Sequence, residues 1–214
     1  MKKTRAAALF LILLSFALGF YAYPAMPEMM ASHWDAAGQV NGYLPKFWGL
    51  FLMPLISAGM YLLFLVIPRI DPKRENIEKF APYFDKFGLL MVAFFSYLYL
   101  LTIIWSWGYD FDMNLAMLPA TGVIFYYCGV LLEKAKPNWS IGIRTPWTLS
   151  SETVWNKTHA RGGKLFKLSG LLCALGALAG AYAFWFVLVP ILGSSLYLML
   201  YSYQEFQKEK SQRA

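Results

Sequence analysis

Five stretches of this 214-residue chain carry no charged side chain over lengths that match the thickness of a lipid bilayer. They run 6–23, 47–68, 87–109, 113–132 and 168–204. The first four are each roughly 18 to 23 residues, enough to cross a hydrocarbon core about 30 Å thick as a helix of about 20 residues. Backbone polar groups in hydrocarbon must be satisfied within the segment, so helices are the expected form. The fifth stretch would be about 55 Å long as a single helix. It must therefore fold back, with the turn expected near 183–186, where Trp185 would sit at interface depth. The expected fold class is all-α: a polytopic membrane protein with six transmembrane helices. Composition agrees, with 58% hydrophobic and 14% charged residues, against roughly 45–50% and about 25% in soluble domains.

Cytoplasmic loops retain the excess of Lys and Arg. With six spans and the N-terminus inside, all of the 19 Lys and Arg residues except Lys46 fall in the cytoplasm. Five- or seven-span arrangements put several of them on the wrong face. Both termini are thus expected inside, and the net charge of +7 points to the inner leaflet rather than to nucleic acid. The basic start followed by an apolar run also has the look of a signal peptide, but that run exceeds the roughly 7 to 15 residues of a signal core. Cys128 and Cys173 lie within spans and read as small packing residues.

The spans hold no Asp, Glu, Lys, Arg or His, the usual marks of proton relays and ion-coupled pumps. Pro54, Pro119 and Pro190 interrupt spans two, four and six as kinks. Gly170, Gly176 and Gly180, with Ala174, Ala177 and Ala181, line span five with small residues that permit close helix approach. Split after span three, each half has its longest loop after its first helix, the loop pattern of an inverted repeat. No residues match between the halves.

Information concentrates where the apolar stretches stop. In the outer loop, 24–46, Pro24 and Pro27 end the first helix, and Asn41-Gly42 is a turn dipeptide. Trp34, Tyr43 and Trp48 are interface anchors. His33 with Asp35 or Glu28 makes a weak metal constellation, and a His bonded to its neighbours is the plainer reading. In the inner loop, 133–165, Pro137 and Pro146 bound an extended stretch. Ser150 or Ser151 then caps a short helix with Glu152 in its first turn, expected to end at Gly162-Gly163. Val154, Trp155 and Thr158 share one face, with Asn156, Lys157 and Ala160 turned elsewhere. Arg144, His159, Arg161 and Lys164 are candidates for anionic lipid, and Arg144 also for carbonyls at helix C-termini. No hydrolase, Walker or CxxC pattern is present, so neither an enzyme nor a cofactor or metal site is expected.

Both loops resemble the SdpI family of bacterial and archaeal membrane proteins. The outer segment is similar to the domain of unknown function that accompanies the family, at Pro24, Pro27, His33, Trp34, Gly38, Gly42, Tyr43, Pro45 and Lys46. It departs at Asp35 and Asn41, where acid and amide are interchanged. The inner segment matches at Gly142, Arg144, Thr145, Pro146, Trp147, Ser151, Trp155, Lys157, Thr158, His159 and Gly162. The resemblance implies a two-span unit (1–68) followed by a four-span unit (69–214) in a prokaryotic cell membrane. It also implies immunity to a secreted peptide toxin met by the outer loop, and a cytoplasmic repressor-type protein held by the inner one. A small-solute or lipid transporter working through a polar midplane cavity is the alternative.

Overall fold

The computed structural model describes residues 2–213. In chain order they form α1 (Lys2–Ala22), a 3-10 turn (Tyr23–Ala25), β1 (Met29–Trp34), β2 (Val40–Pro45), α2 (Lys46–Ile70), α3 (Arg74–Glu78), α4 (Ala81–Ser106), α5 (Met113–Lys134), α6 (Pro146–Ser150), α7 (Glu152–Gly176), a second 3-10 turn (Gly180–Tyr182) and α8 (Ala183–Arg213). Among the described residues, five helices are long and apolar enough to cross a membrane: Lys2–Ala25, Lys46–Ile70, Ala81–Ser106, Met113–Lys134 and Ala183–Gln212. α7 is not among them, because Glu152, Lys157, His159, Arg161, Lys164 and Lys167 occupy its first two thirds.

The six long helices pack in two groups of three. In the first, α1, α2 and α4 enclose Ala8, Ile12, Tyr61 and Val92 at one level. At another level they close with the hairpin over Ala22, Met30, Leu50, Tyr99 and Ile103. In the second group, α7 packs between α5 and α8. Glycine governs the α5–α7 contact. A Cβ on Gly122 would lie 2.5 Å from the Gly170 carbonyl oxygen, and one on Gly129 would lie 2.5 Å from that of Gly163. Each pair of glycines recurs after two helical turns, so the antiparallel backbones touch along a seam that tolerates no side chain. The Lys167–Glu133 ion pair, at 2.6 Å, flanks it.

Three local expectations are corrected. The inner-loop helix does not end at Gly162-Gly163; α7 runs through both into the last apolar stretch. These glycines sit there for close approach: a Cβ on Gly162 would meet the Ile143 side chain at 2.5 Å. The turn between the last two helices lies at 177–182 rather than near 183–186, with Gly180 at φ +54° reversing the chain and Trp185 already in α8. Finally, the outer loop is a β-hairpin. Asn41-Gly42 lies inside β2, opposite His33, and the reversal is made at 35–39 instead.

Helix starts follow the sequence. Asp112 caps α5 by accepting from the amides of Asn114 and Leu115. Ser151 caps α7 through the Val154 amide, with Glu152 in the first turn, where an acid complements the macrodipole.

Candidate functional site

The matched residues gather at two ends of the helices. At the end shared by the α1–α2 connection and the α5 N-terminus stands the hairpin. Its turn is built by Asp35: Oδ1 accepts from the amides of Ala37 and Gln39, both at 2.9 Å. Gly38, at φ +78°, completes the reversal, a conformation that costs a residue with a Cβ. The Asn114 side chain donates to the Ala36 carbonyl at 3.1 Å, tying the tip to α5. At the base Lys46 reaches Glu28 at 2.8 Å, and Met30 packs against Gly49. Trp34 is half-buried and meets Trp105 edge-on, with centroids 5.9 Å apart.

The hairpin is therefore fixed underneath and open above. His33, Asn41, Tyr43 and Pro45 are exposed, as are Pro24 and Pro27 at its approach. His33 Nδ1 lies 2.5 Å from Asn41 Oδ1. The metal reading for His33 is not supported, since Asp35 serves the turn, Glu28 pairs with Lys46, and His33 faces an amide. Asp35 and Asn41 thus both spend their side chains on bonds within the hairpin. Gly42 is paired with His33, and a Cβ there would come within 2.9 Å of the His33 Cβ.

At the other end, residues 135–145 wrap over the first half of α7. Asn138, almost fully buried, folds the loop on itself: its amide nitrogen donates to the Lys136 and Ile141 carbonyls, and its oxygen accepts from the amides of Ser140 and Ile141. Asp71, at the end of α2, is also buried. Its Oδ2 accepts from the Trp139 amide at 3.0 Å and the Ser140 hydroxyl at 2.6 Å.

His159 is the pivot. Its ring stacks on Trp155 at 3.9 Å, Nδ1 donates to the Trp155 carbonyl at 2.9 Å, and Nε2 accepts from the Ile143 amide at 3.0 Å. Only the neutral ring with the proton on Nδ1 makes both bonds. Burial pushes its pKa down to about 4. Gly142, at φ +118°, passes directly over the ring, and a Cβ there would be 2.4 Å from Nε2. His159 therefore faces the protein interior, which overturns its reading as a lipid contact. Trp155, fully buried, donates from Nε1 to the Ala135 carbonyl at 3.0 Å.

The rest of the inner signature brackets this centre. Thr145 and Thr148 form a reciprocal capping box on α6, which Pro146 begins, and the Thr145 hydroxyl reaches Ser202 of α8 at 3.0 Å. Ser151 bonds Glu209, and Lys157 pairs with Glu205 at 2.7 Å. Trp147 packs on Tyr203 at 5.1 Å. Thr158 is buried with no hydrogen-bond partner for its hydroxyl among the described residues. Arg144 donates to the Trp139 carbonyl at 2.5 Å, a loop carbonyl rather than one at a helix end.

Asp71, Thr148, Ser202 and Glu205 belong to this platform and were not singled out from sequence. All are common polar residues whose roles come from partners distant in the chain.

Beneath the loop is a cavity of about 360 Å³ lined by Phe64 and Ile67 of α2, Phe84 and Phe87 of α4, Cys128 and Leu131 of α5, and residues 140–143 of the loop. Its lining is overwhelmingly apolar, so it is not the polar midplane cavity a solute transporter requires.

Residues 134–202 match the SdpI/YfhL protein family, and residues 10–58 match a domain of unknown function, DUF1648. The chain is also similar to a protein named Immunity protein SdpI from Bacillus subtilis (strain 168): 25% identical over 212 residues, spanning 99% of this chain and 100% of that relative. The resemblance read from the two loops thus holds at both places. No solved structure matches the chain.

Proposed function

We propose that this protein is a six-span immunity protein of the cell membrane, with both termini in the cytoplasm and the hairpin facing outward to meet a secreted peptide toxin. The observation that carries the proposal is the pairing of full-length similarity to an immunity protein with a hairpin held rigidly from below and exposed above. A fixed, partly aromatic edge loses little conformational entropy on meeting an extended peptide.

Six spans rest on α7. Its apolar second half packs between α5 and α8, and counting it as a crossing puts the hairpin at one end and the His159 platform at the other. The platform, joined to the α2 end by Asp71 and to α8 by Ser151 and Lys157, is the surface for a cytoplasmic repressor-type protein. The proposed division is a two-span unit (1–68), within which the 10–58 match falls, and a four-span unit (69–214), within which the 134–202 match falls.

The test is protection. Expressed in a sensitive bacterium challenged with peptides of the namesake family's toxin type, the intact chain should raise survival. The double variant H33A/Y43A should lose that protection at unchanged membrane level. Equal survival with and without the chain, once insertion is verified, would falsify the immunity reading.

A further inference from the structure

A cleft of about 370 Å³ opens between α7 and α8, lined by Lys157, Ala160, Arg161, Lys164 and Tyr201. Lys157 is neutralised by Glu205. Arg161 and Lys164 make no ion pair among the described residues, and Arg161 instead lies over the Tyr201 ring, 5.4 Å from its centroid. The cleft thus carries uncompensated positive charge beside an aromatic wall.

Further along the same two helices, toward the apolar half of α7, lies a second groove of about 290 Å³. Leu168, Leu172, Val189 and Tyr197 line it, and Gly193 forms part of its floor. The two hollows share one flank of the α7–α8 contact. On α7 the positions 157, 161, 164, 168 and 172 recur every three or four residues, placing them on a single helical stripe. That stripe is turned away from the glycine seam with α5. Tyr201 and Tyr197, stacked at 5.8 Å, join the two hollows on the α8 side. From Arg161 to Leu172 the stripe runs about 16 Å, roughly half of a hydrocarbon core about 30 Å thick.

We infer that this flank is a binding site for an anionic phospholipid: the phosphodiester headgroup sits against Arg161 and Lys164 in the cationic cleft, and an acyl chain lies in the apolar groove. Charge complementarity selects the headgroup, since basic pockets between helices on the cytoplasmic side suit anionic lipid. The continuous apolar groove selects a lipid over a free phosphate ester. The site rests on α7 crossing the membrane, not on the immunity role.

The full chain, purified in detergent and stripped of lipid, is titrated with phosphatidylglycerol, phosphatidylcholine or water-soluble glycerophosphoglycerol, reading bound lipid by native mass spectrometry and Tm by scattering. Phosphatidylglycerol should bind and raise Tm, while the other two should not. R161Q/K164Q should weaken phosphatidylglycerol binding roughly thirtyfold, from about 1 kcal/mol for each of two surface cations at tenfold per roughly 1.4 kcal/mol. G193F, whose ring would fill the groove, should also abolish retention. K2Q/K3Q removes the same charge elsewhere and should bind as the parent does. Equal loss in K2Q/K3Q, equal binding of phosphatidylcholine, or a full Tm shift from glycerophosphoglycerol would each overturn the site. Because R161Q/K164Q alters only exposed side chains, its Tm without lipid should equal the parent's, and protection from toxin can be scored separately on the same variants.

Discussion

The Nε2 atom of His159 accepts the amide proton of Ile143 at 3.0 Å, while Nδ1 of the same ring donates to the Trp155 carbonyl. One imidazole therefore fastens the inner loop to α7, and it does so only while uncharged. A proton on Nε2 would put two donors face to face and a charge into a buried site.

Stability should consequently depend on pH in one direction. The ring's pKa in the folded chain is held at about 4 against an ordinary 6.5. Above pH 6.5 both states are neutral and the contribution is flat. Between 6.5 and 4 the unfolded chain gains a proton that the folded chain does not, so stability drops as the pH is lowered, by roughly 3 kcal/mol in all. Tm in detergent across pH 4 to 8 checks this. H159F, which keeps the stacking, should start lower and lose this part of the slope.

The glycine seam gives a second prediction. G170L forces a side chain onto the Gly122 carbonyl and the Tyr126 backbone, and overpacking of this kind costs about 1–3 kcal/mol or more. G59L, where a Cβ meets nothing within 4 Å, is the matched control. The monodisperse fraction on size-exclusion chromatography should collapse for the first and stay at parent level for the second.

Asp71 anchors the loop from the other side. D71A leaves the Trp139 amide and the Ser140 hydroxyl without their acceptor, a loss of about 1–3 kcal/mol. Hydrogen exchange should accelerate over 138–143 and stay unchanged in the hairpin. Unchanged protection of 138–143 would mean that the Asn138 network holds the loop alone.

At the opposite end, D35A removes the acceptor of two turn amides. Limited proteolysis should become faster at 36–39, and protection against toxin should drop with it. Fast cleavage accompanied by full protection would show that hairpin rigidity does not matter to the proposed function.

Charge-free length sufficed to read a helical membrane chain, because hydrocarbon leaves a backbone few alternatives. Residue-type signals were equally legible where a cap is local: Ser151 before Glu152, and the apolar face of Val154, Trp155 and Thr158. The two family segments were visible as patterns as well. What sequence did not contain was partnership across the chain. Gly162-Gly163 has the form of a helix stop, yet α7 continues through it because Gly129 and Ile143 press against that backbone. Asn41-Gly42 has the form of a turn, but the short reach of Asp35 to two amides sets the reversal earlier and leaves the dipeptide in a strand. His159 looks like a surface cation until the 135–145 loop covers it. Composition decides whether a segment enters the membrane; only the packed structure decides which polar groups find each other, since each such bond requires a partner far away in sequence and shielded from water.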